Sequence, residues 1–107
     1  MEKLVRDKIP EIIEKSGMKP IWRECYEEEF YDFLLRKLQE EVDELKAAKT
    51  HKDQLEEAAD VYEVLFAIIS YLDLSGKSWE EWMAVMLKKR EERGQFDKRI
   101  ILEEVKK

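Results

Sequence analysis

Between Leu38 and Ile69 the chain reads LQEEVDELKAAK, a polar break THKD, and then QLEEAADVYEVLFAII. On either side of the break apolar residues recur three and four apart, the pattern of two amphipathic helices. With each residue turning about 100° on a helix, Tyr31, Leu34, Leu35, Leu38, Val42 and Leu45 fall in one apolar arc. Glu41 lies inside that arc and Glu44 on its border. On the second helix an arc centred on Leu65 collects Leu55, Ala58, Val61, Tyr62, Ile68, Ile69 and Leu72. Glu57 lies inside it and Asp60 just past its edge. Each helix thus carries an acid within its apolar face and a second acid three residues on. A carboxylate on a buried face is costly unless it is paired or bound to a metal. An antiparallel hairpin would bring all four acids together, where they repel one another. Two resolutions are open. Arg or Lys from another helix neutralises the acids, or a hard cation sits among them, Mg²⁺ first, with Mn²⁺ able to substitute. For a single acid the ion pair is the simpler answer; the repetition on consecutive helices favours the metal.

The 107 residues suit one domain, small enough for oligomerisation to help bury its apolar helix faces. Charged residues make up 43% of the chain, well above the usual quarter or so, which suits helices laced with ion pairs. The formal charge of −6 argues against a nucleic-acid polymer as partner. The single Cys25 rules out an intramolecular disulfide and a cysteine-based zinc site. Glu56, Glu57, Asp60 and Glu63 interrupt the apolar stretch from Leu55 to Leu72, which therefore does not span a membrane. No charged-then-apolar leader opens the sequence, and a cytoplasmic protein is expected.

Taken in order, Lys3, Arg6 and Lys8 cluster near the start, either as solvated surface or as an anion-binding patch. Pro10 suits the first turn of a short helix that runs to Lys15 and ends at Ser16-Gly17. Residues 19–26 contain Pro20 and alternate loosely, as an extended segment would. A long helix follows from about Glu27 to Lys49, with Phe30 and Phe33 widening its apolar face. Thr50 and Asp53 have the spacing of a helix start, and the third helix is expected to run to about Leu74 and close at Ser75-Gly76. His51, the single histidine, lies in the turn, so the Glu-x-x-His pairs of di-iron bundles are absent and that reading is rejected. Ser78 and Glu81 have capping-box spacing and open a fourth helix. Its Trp79, Trp82, Met83, Met86 and Leu87 form a stripe suited to a core or an oligomer face. Lys88, Lys89, Arg90 and Arg93 crowd its end before Gly94. Cations there complement the helix dipole, yet Lys89 and Arg93, four apart, also share a face fit to grip phosphates. The apolar run in the tail, RIILEEV, is expected to lie back on an all-α bundle of about four helices.

These residues resemble the MazG-like all-α nucleotide pyrophosphohydrolase superfamily, and within it the small single-domain branch similar to phosphoribosyl-ATP pyrophosphohydrolase. The superfamily pattern of Glu-Glu-x-x-Glu, a spacer and Glu-x-x-Asp is met by Glu40-Glu41-x-x-Glu44, twelve residues, and Glu57-x-x-Asp60. The opening KLVRDKIPEII and the later Lys89, Arg93, Gly94 and Phe96 are similar to further signatures of that branch. Gln95 departs from it where a second glycine is expected. The resemblance implies one MazG-like helical domain over 1–107 that hydrolyses a nucleoside triphosphate between the α and β phosphorus atoms. It implies that Glu41, Glu44, Glu57 and Asp60 hold Mg²⁺ and that Glu41 and Glu40 serve catalysis, Glu40 by orienting the water or reaching a second metal. Lys89 and Arg93, with Arg6 and Lys8 behind them, would contact phosphate. The family also implies a homodimer or homotetramer.

Two further readings stay in play at this level. One is a true phosphoribosyl-ATP pyrophosphohydrolase of histidine synthesis. The other is a catalytically silent helical interaction module that keeps its acids for structure. Base selection would fall to aromatic residues such as Trp22, Phe33 and Tyr62, each of which also suits a core.

Overall fold

A computed structural model of the chain describes residues 2–73 and 76–107, without the side chain of Ser78. Among these residues there are four α-helices and no strand: α1 (Ile9–Lys15), α2 (Glu27–Ala47), α3 (His51–Tyr71) and α4 (Ser78–Arg93). The all-α class expected from the sequence is the one observed. The chain divides into two units, Met1–Leu72 and Asp73–Lys107.

In the first unit the boundaries follow from local chemistry. Pro10 stands in the first turn of α1, and Ser16 caps its end. Glu29 starts α2 by accepting the Tyr26 N–H at 3.2 Å, and Glu27, Glu28 and Glu29 crowd the first turn where the helix dipole favours negative charge. Arg23 fixes that end further, lying 2.6 Å from Glu29 and 3.2 Å from Glu2. The guanidinium holds the Glu29 carboxyl below its ordinary range. Helix α2 stops at Ala47, two residues short of Lys49, because Ala48 turns extended (φ −65°, ψ 129°). Thr50 Oγ1 then accepts the Asp53 N–H at 3.1 Å and starts α3.

So short a link between two helices of 21 residues makes them antiparallel neighbours. Phe30 and Tyr31 at the start of α2 accordingly meet Tyr71 at the end of α3, edge-on at 5.6 Å and stacked at 5.4 Å. Leu34, Val64 and Ile68 form the buried centre of the hairpin, with Phe30, Leu38 and Ala67 packed around it. Leu4 packs on the same centre, so the irregular N-terminal segment is laid across the hairpin.

Helix α3 is rotated relative to the arc drawn from its sequence. Its inward face is Glu57, Asp60, Val61, Val64 and Ile68, whereas Leu55, Tyr62, Leu65 and Leu72 are exposed. The helix carries two apolar stripes, and an arc centred on Leu65 mixed them. On α2 the expected arc is closer, with Leu34 buried and Leu38, Val42 and Leu45 half-buried, although Tyr31 and Leu35 are exposed.

In the second unit Trp79 and Trp82 pack one turn apart on α4, ring centres 5.0 Å apart. Gly94 ends the helix at φ 81°, a conformation most side chains resist, and its N–H donates to the Arg90 carbonyl at 2.8 Å. Beyond it Phe96, Ile100, Ile101, Leu102 and Val105 are all exposed. Among the described residues of this unit none buries the run expected to lie back on the bundle. Helix α3 ends at Tyr71, short of the expected Leu74, with Leu72 as its C-cap; the expected close at Ser75 and the capping role of the Ser78 side chain lie outside the described residues.

Candidate metal centre

The antiparallel hairpin sets α2 residues 41 and 44 across from α3 residue 57. Glu41, Glu44 and Glu57 each offer a carboxylate oxygen, and these oxygens lie within 4.8 Å of one another. Glu41 is the buried polar residue among the described residues, 6% exposed. Its Oε2 and the Oε2 of Glu57 are buried, and among the described residues no hydrogen-bond partner reaches either. Orphaned buried carboxylate oxygens cost more than almost any other polar group. Burial raises the affinity of Glu57 for a proton, and the charges of Glu44, Asp60 and Glu41 add to it, pushing its carboxyl up to about 7. Burial also raises Glu41, with Glu44 adding to the effect and Lys37 opposing it.

Cations reach only the margin of this cluster. Lys37 Nζ lies 3.2 Å from Glu41 Oε1 and 3.5 Å from Glu40 Oε1, one turn back on the same helix. Lys3 Nζ lies 3.5 Å from the same Glu40 oxygen. Arg6 Nη2 lies 2.6 Å from Asp60 Oδ1. Both resolutions of the acid problem are therefore present: basic side chains cover Glu40, Asp60 and one edge of Glu41, while the inward oxygens of Glu41 and Glu57 have no such cover. An all-oxygen donor set with unfilled lone pairs suits a hard divalent cation.

The expected site residues fall into three groups. Glu41, Glu44 and Glu57 converge. Asp60 stands beside them, held by Arg6 rather than meeting the other three. Glu40 is half-buried outside the cluster and bridged to two lysines. Of the cations, Arg6 reaches Asp60 beside the cluster, and Lys8 sits exposed at the N-cap of α1, its carbonyl accepting the Ile12 N–H at 3.0 Å. Lys89 and Arg93 are exposed on the last turns of α4, in the second unit. Sequence reasoning passed over Lys37, which the spacing could have supplied: it stands three residues before Glu40 and four before Glu41, where a helix brings side chains together.

A family model described as phosphoribosyl-ATP pyrophosphohydrolase matches residues 6–90. That range takes in Arg6, Lys8, all five acids and Lys89, and stops before Arg93. An uncharacterized protein of Mycolicibacterium smegmatis is 48% identical over 56 residues, which cover 52% of this chain and 57% of that protein. The chain thus matches little more than half the length of this relative. No solved structure matches the chain significantly.

Proposed function

Because the chain belongs to the phosphoribosyl-ATP pyrophosphohydrolase family, we propose that it hydrolyses a nucleoside triphosphate between the α and β phosphorus atoms, releasing monophosphate and pyrophosphate. Mg²⁺ is the cofactor in this reading, and Mn²⁺ replaces it with the same oxygen ligands. The observation that carries the proposal is the pair of orphaned buried oxygens, Glu41 Oε2 and Glu57 Oε2, inside a cluster of three carboxylates. Glu41, Glu44, Glu57 and Asp60 hold the cation. Bound there, it supplies charge neutralisation for the triphosphate and activation of water. Glu40 takes the role of aligning the attacking water, with Lys3 and Lys37 fixing its carboxylate. Lys89, Arg93, Arg6 and Lys8 contact the phosphates.

We read 1–107 as one MazG-like helical domain, supported by a family match that runs through both units. The exposed apolar stripe of α3, Leu55, Tyr62 and Leu65, continued by Leu72 just past its end, supports assembly into a homodimer or homotetramer. Among the described residues no helix is long and apolar enough to cross a membrane. A nucleotide substrate and the lone free Cys25 fit a cytoplasmic setting.

The family's description favours one specific substrate, phosphoribosyl-ATP, against a wider set of damaged or non-standard triphosphates. Turnover of phosphoribosyl-ATP compared with turnover of ordinary, deoxy and oxidised nucleoside triphosphates in Mg²⁺ tests both. A large preference for phosphoribosyl-ATP assigns the narrow function, and turnover across the panel assigns a nucleotide-cleansing role. Failure on every substrate by a folded, Mg²⁺-loaded protein contradicts the enzymatic reading and leaves the silent helical module.

A further inference from the structure

The shortest ion pair at the acidic cluster joins a cation and an acid that the proposed function assigns to different ligands. Arg6 Nη2 lies 2.6 Å from Asp60 Oδ1. Arg6 is assigned to substrate phosphate and Asp60 to the cation. Neither can serve its assigned ligand fully while it holds the other. Asp60 accordingly stands outside the group of oxygens contributed by Glu41, Glu44 and Glu57, although it is near enough for its charge to hinder the ionisation of Glu57.

The segment carrying Arg6 is tied at both ends. Leu4 packs on the core of the hairpin, and the Arg6 carbonyl accepts the Ile9 N–H at 3.0 Å at the entry to α1. The backbone of Arg6 is therefore placed by packing, not by Asp60, and its long side chain can change partner without moving the segment away. The pair itself is half-open to water, with the two side chains 55% and 37% exposed. Such pairs are weak. A divalent cation gathering four carboxylates competes well for Asp60, and a guanidinium released from a carboxylate matches phosphate with the same two-pronged geometry.

We propose that Arg6 is a place-holder on Asp60: cation binding draws Asp60 into the ligand set, and the guanidinium so released turns to the phosphates of the nucleotide. This inference rests on the metal reading given above. It makes Arg6 a positioning residue before the cation arrives and a substrate contact afterwards. Metal loading and phosphate binding are then coupled through one side chain, and the coupling is reciprocal.

The test is titration calorimetry of Mg²⁺ into the full chain without nucleotide, for the wild type, Arg6→Met and Arg6→Lys. Removing the competitor tightens Mg²⁺ binding by Arg6→Met about 2- to 5-fold, the range for one exposed charge pair, and Arg6→Lys restores the wild-type value. With Mg²⁺ present, Arg6→Met binds an α,β-methylene triphosphate analogue about 10-fold more weakly, the loss of one charged hydrogen bond. Without metal the two proteins bind the analogue alike. Asp60→Asn approaches the pair from its other side: metal-free, it releases the guanidinium and binds the analogue about 2- to 5-fold more tightly than the metal-free wild type. Unchanged or weaker Mg²⁺ binding by Arg6→Met, or equal binding of the analogue by wild type and Arg6→Met in Mg²⁺, overturns the inference. A wild type that binds no Mg²⁺ gives a different result, one that removes the metal reading underneath and this inference with it.

Discussion

Lys37 Nζ lies 3.2 Å from Glu41 Oε1, while Glu41 Oε2, on the other side of the same carboxylate, is buried and meets no hydrogen-bond donor among the described residues. One oxygen is neutralised by a residue one turn away; the other is buried without a partner, on a carboxylate that stands beside those of Glu44 and Glu57. A carboxylate serving only structure gains little from this arrangement, because a half-satisfied buried charge is worse than an apolar side chain. The same arrangement serves a ligand that must stay ionised and keep an oxygen open for a cation.

Glu41→Gln separates those two roles. Losing a ligand charge lowers Mg²⁺-dependent turnover at least about 100-fold, beyond what the loss of a ligand's supporting partner costs. In EDTA the variant melts at or above the wild-type temperature, because the acidic cluster loses one repelling charge. Thermal melts in EDTA beside turnover in Mg²⁺ check both halves.

The pH dependence of stability follows from Glu57. Its folded carboxyl titrates at about 7, above its ordinary 4.5. The folded state therefore favours the protonated form, and this contribution to stability is fully present below pH 4.5 and lost as the pH rises through 7. Melting temperatures in EDTA fall between pH 5 and pH 8 by an amount that Glu57→Gln abolishes. Excess Mg²⁺ raises the midpoint more at pH 8 than at pH 5, since binding to the native state stabilises it and competes with protons.

Leu34 is the most completely buried side chain of the hairpin, 1% exposed. Leu34→Ala removes its contacts with Val64 and Ile68 and costs about 2–5 kcal/mol. Urea denaturation of the variant checks the value. Thr50→Ala removes the cap that starts α3 and costs about 1 kcal/mol.

Assembly through the outer stripe of α3 is tested by Leu65→Glu. Leu65 is 41% exposed and away from the hairpin core. A charge there shifts the sedimentation of the protein toward the monomer while circular dichroism stays helical. Unchanged sedimentation places the subunit contact elsewhere.

Much of this was legible in the sequence because it is local. Thr50 and Asp53 announce the start of α3, Gly94 announces the end of α4, and the spacing of Glu41, Glu44 and Glu57 sets them on facing helices. The rotation of α3 was less legible: Val64 and Ile68 share the helix with Leu65 and Tyr62, and hydrophobicity alone does not say which stripe meets α2. The Arg6–Asp60 pair was invisible for another reason. It joins residues 54 apart in sequence, brought together only because Leu4 anchors the N-terminal segment on the hairpin. Lys37 had a local signal, its spacing from Glu40 and Glu41, that a search confined to acids passes over.

The assignment of α–β cleavage to the acidic cluster is tested by phosphorus NMR of the products formed from a nucleoside triphosphate or phosphoribosyl-ATP, with and without Mg²⁺, by the wild type and Glu41→Gln. The expected products are monophosphate and pyrophosphate from the Mg²⁺-loaded wild type, and neither from Glu41→Gln or in EDTA. Diphosphate with orthophosphate, or equal product from Glu41→Gln, would contradict it.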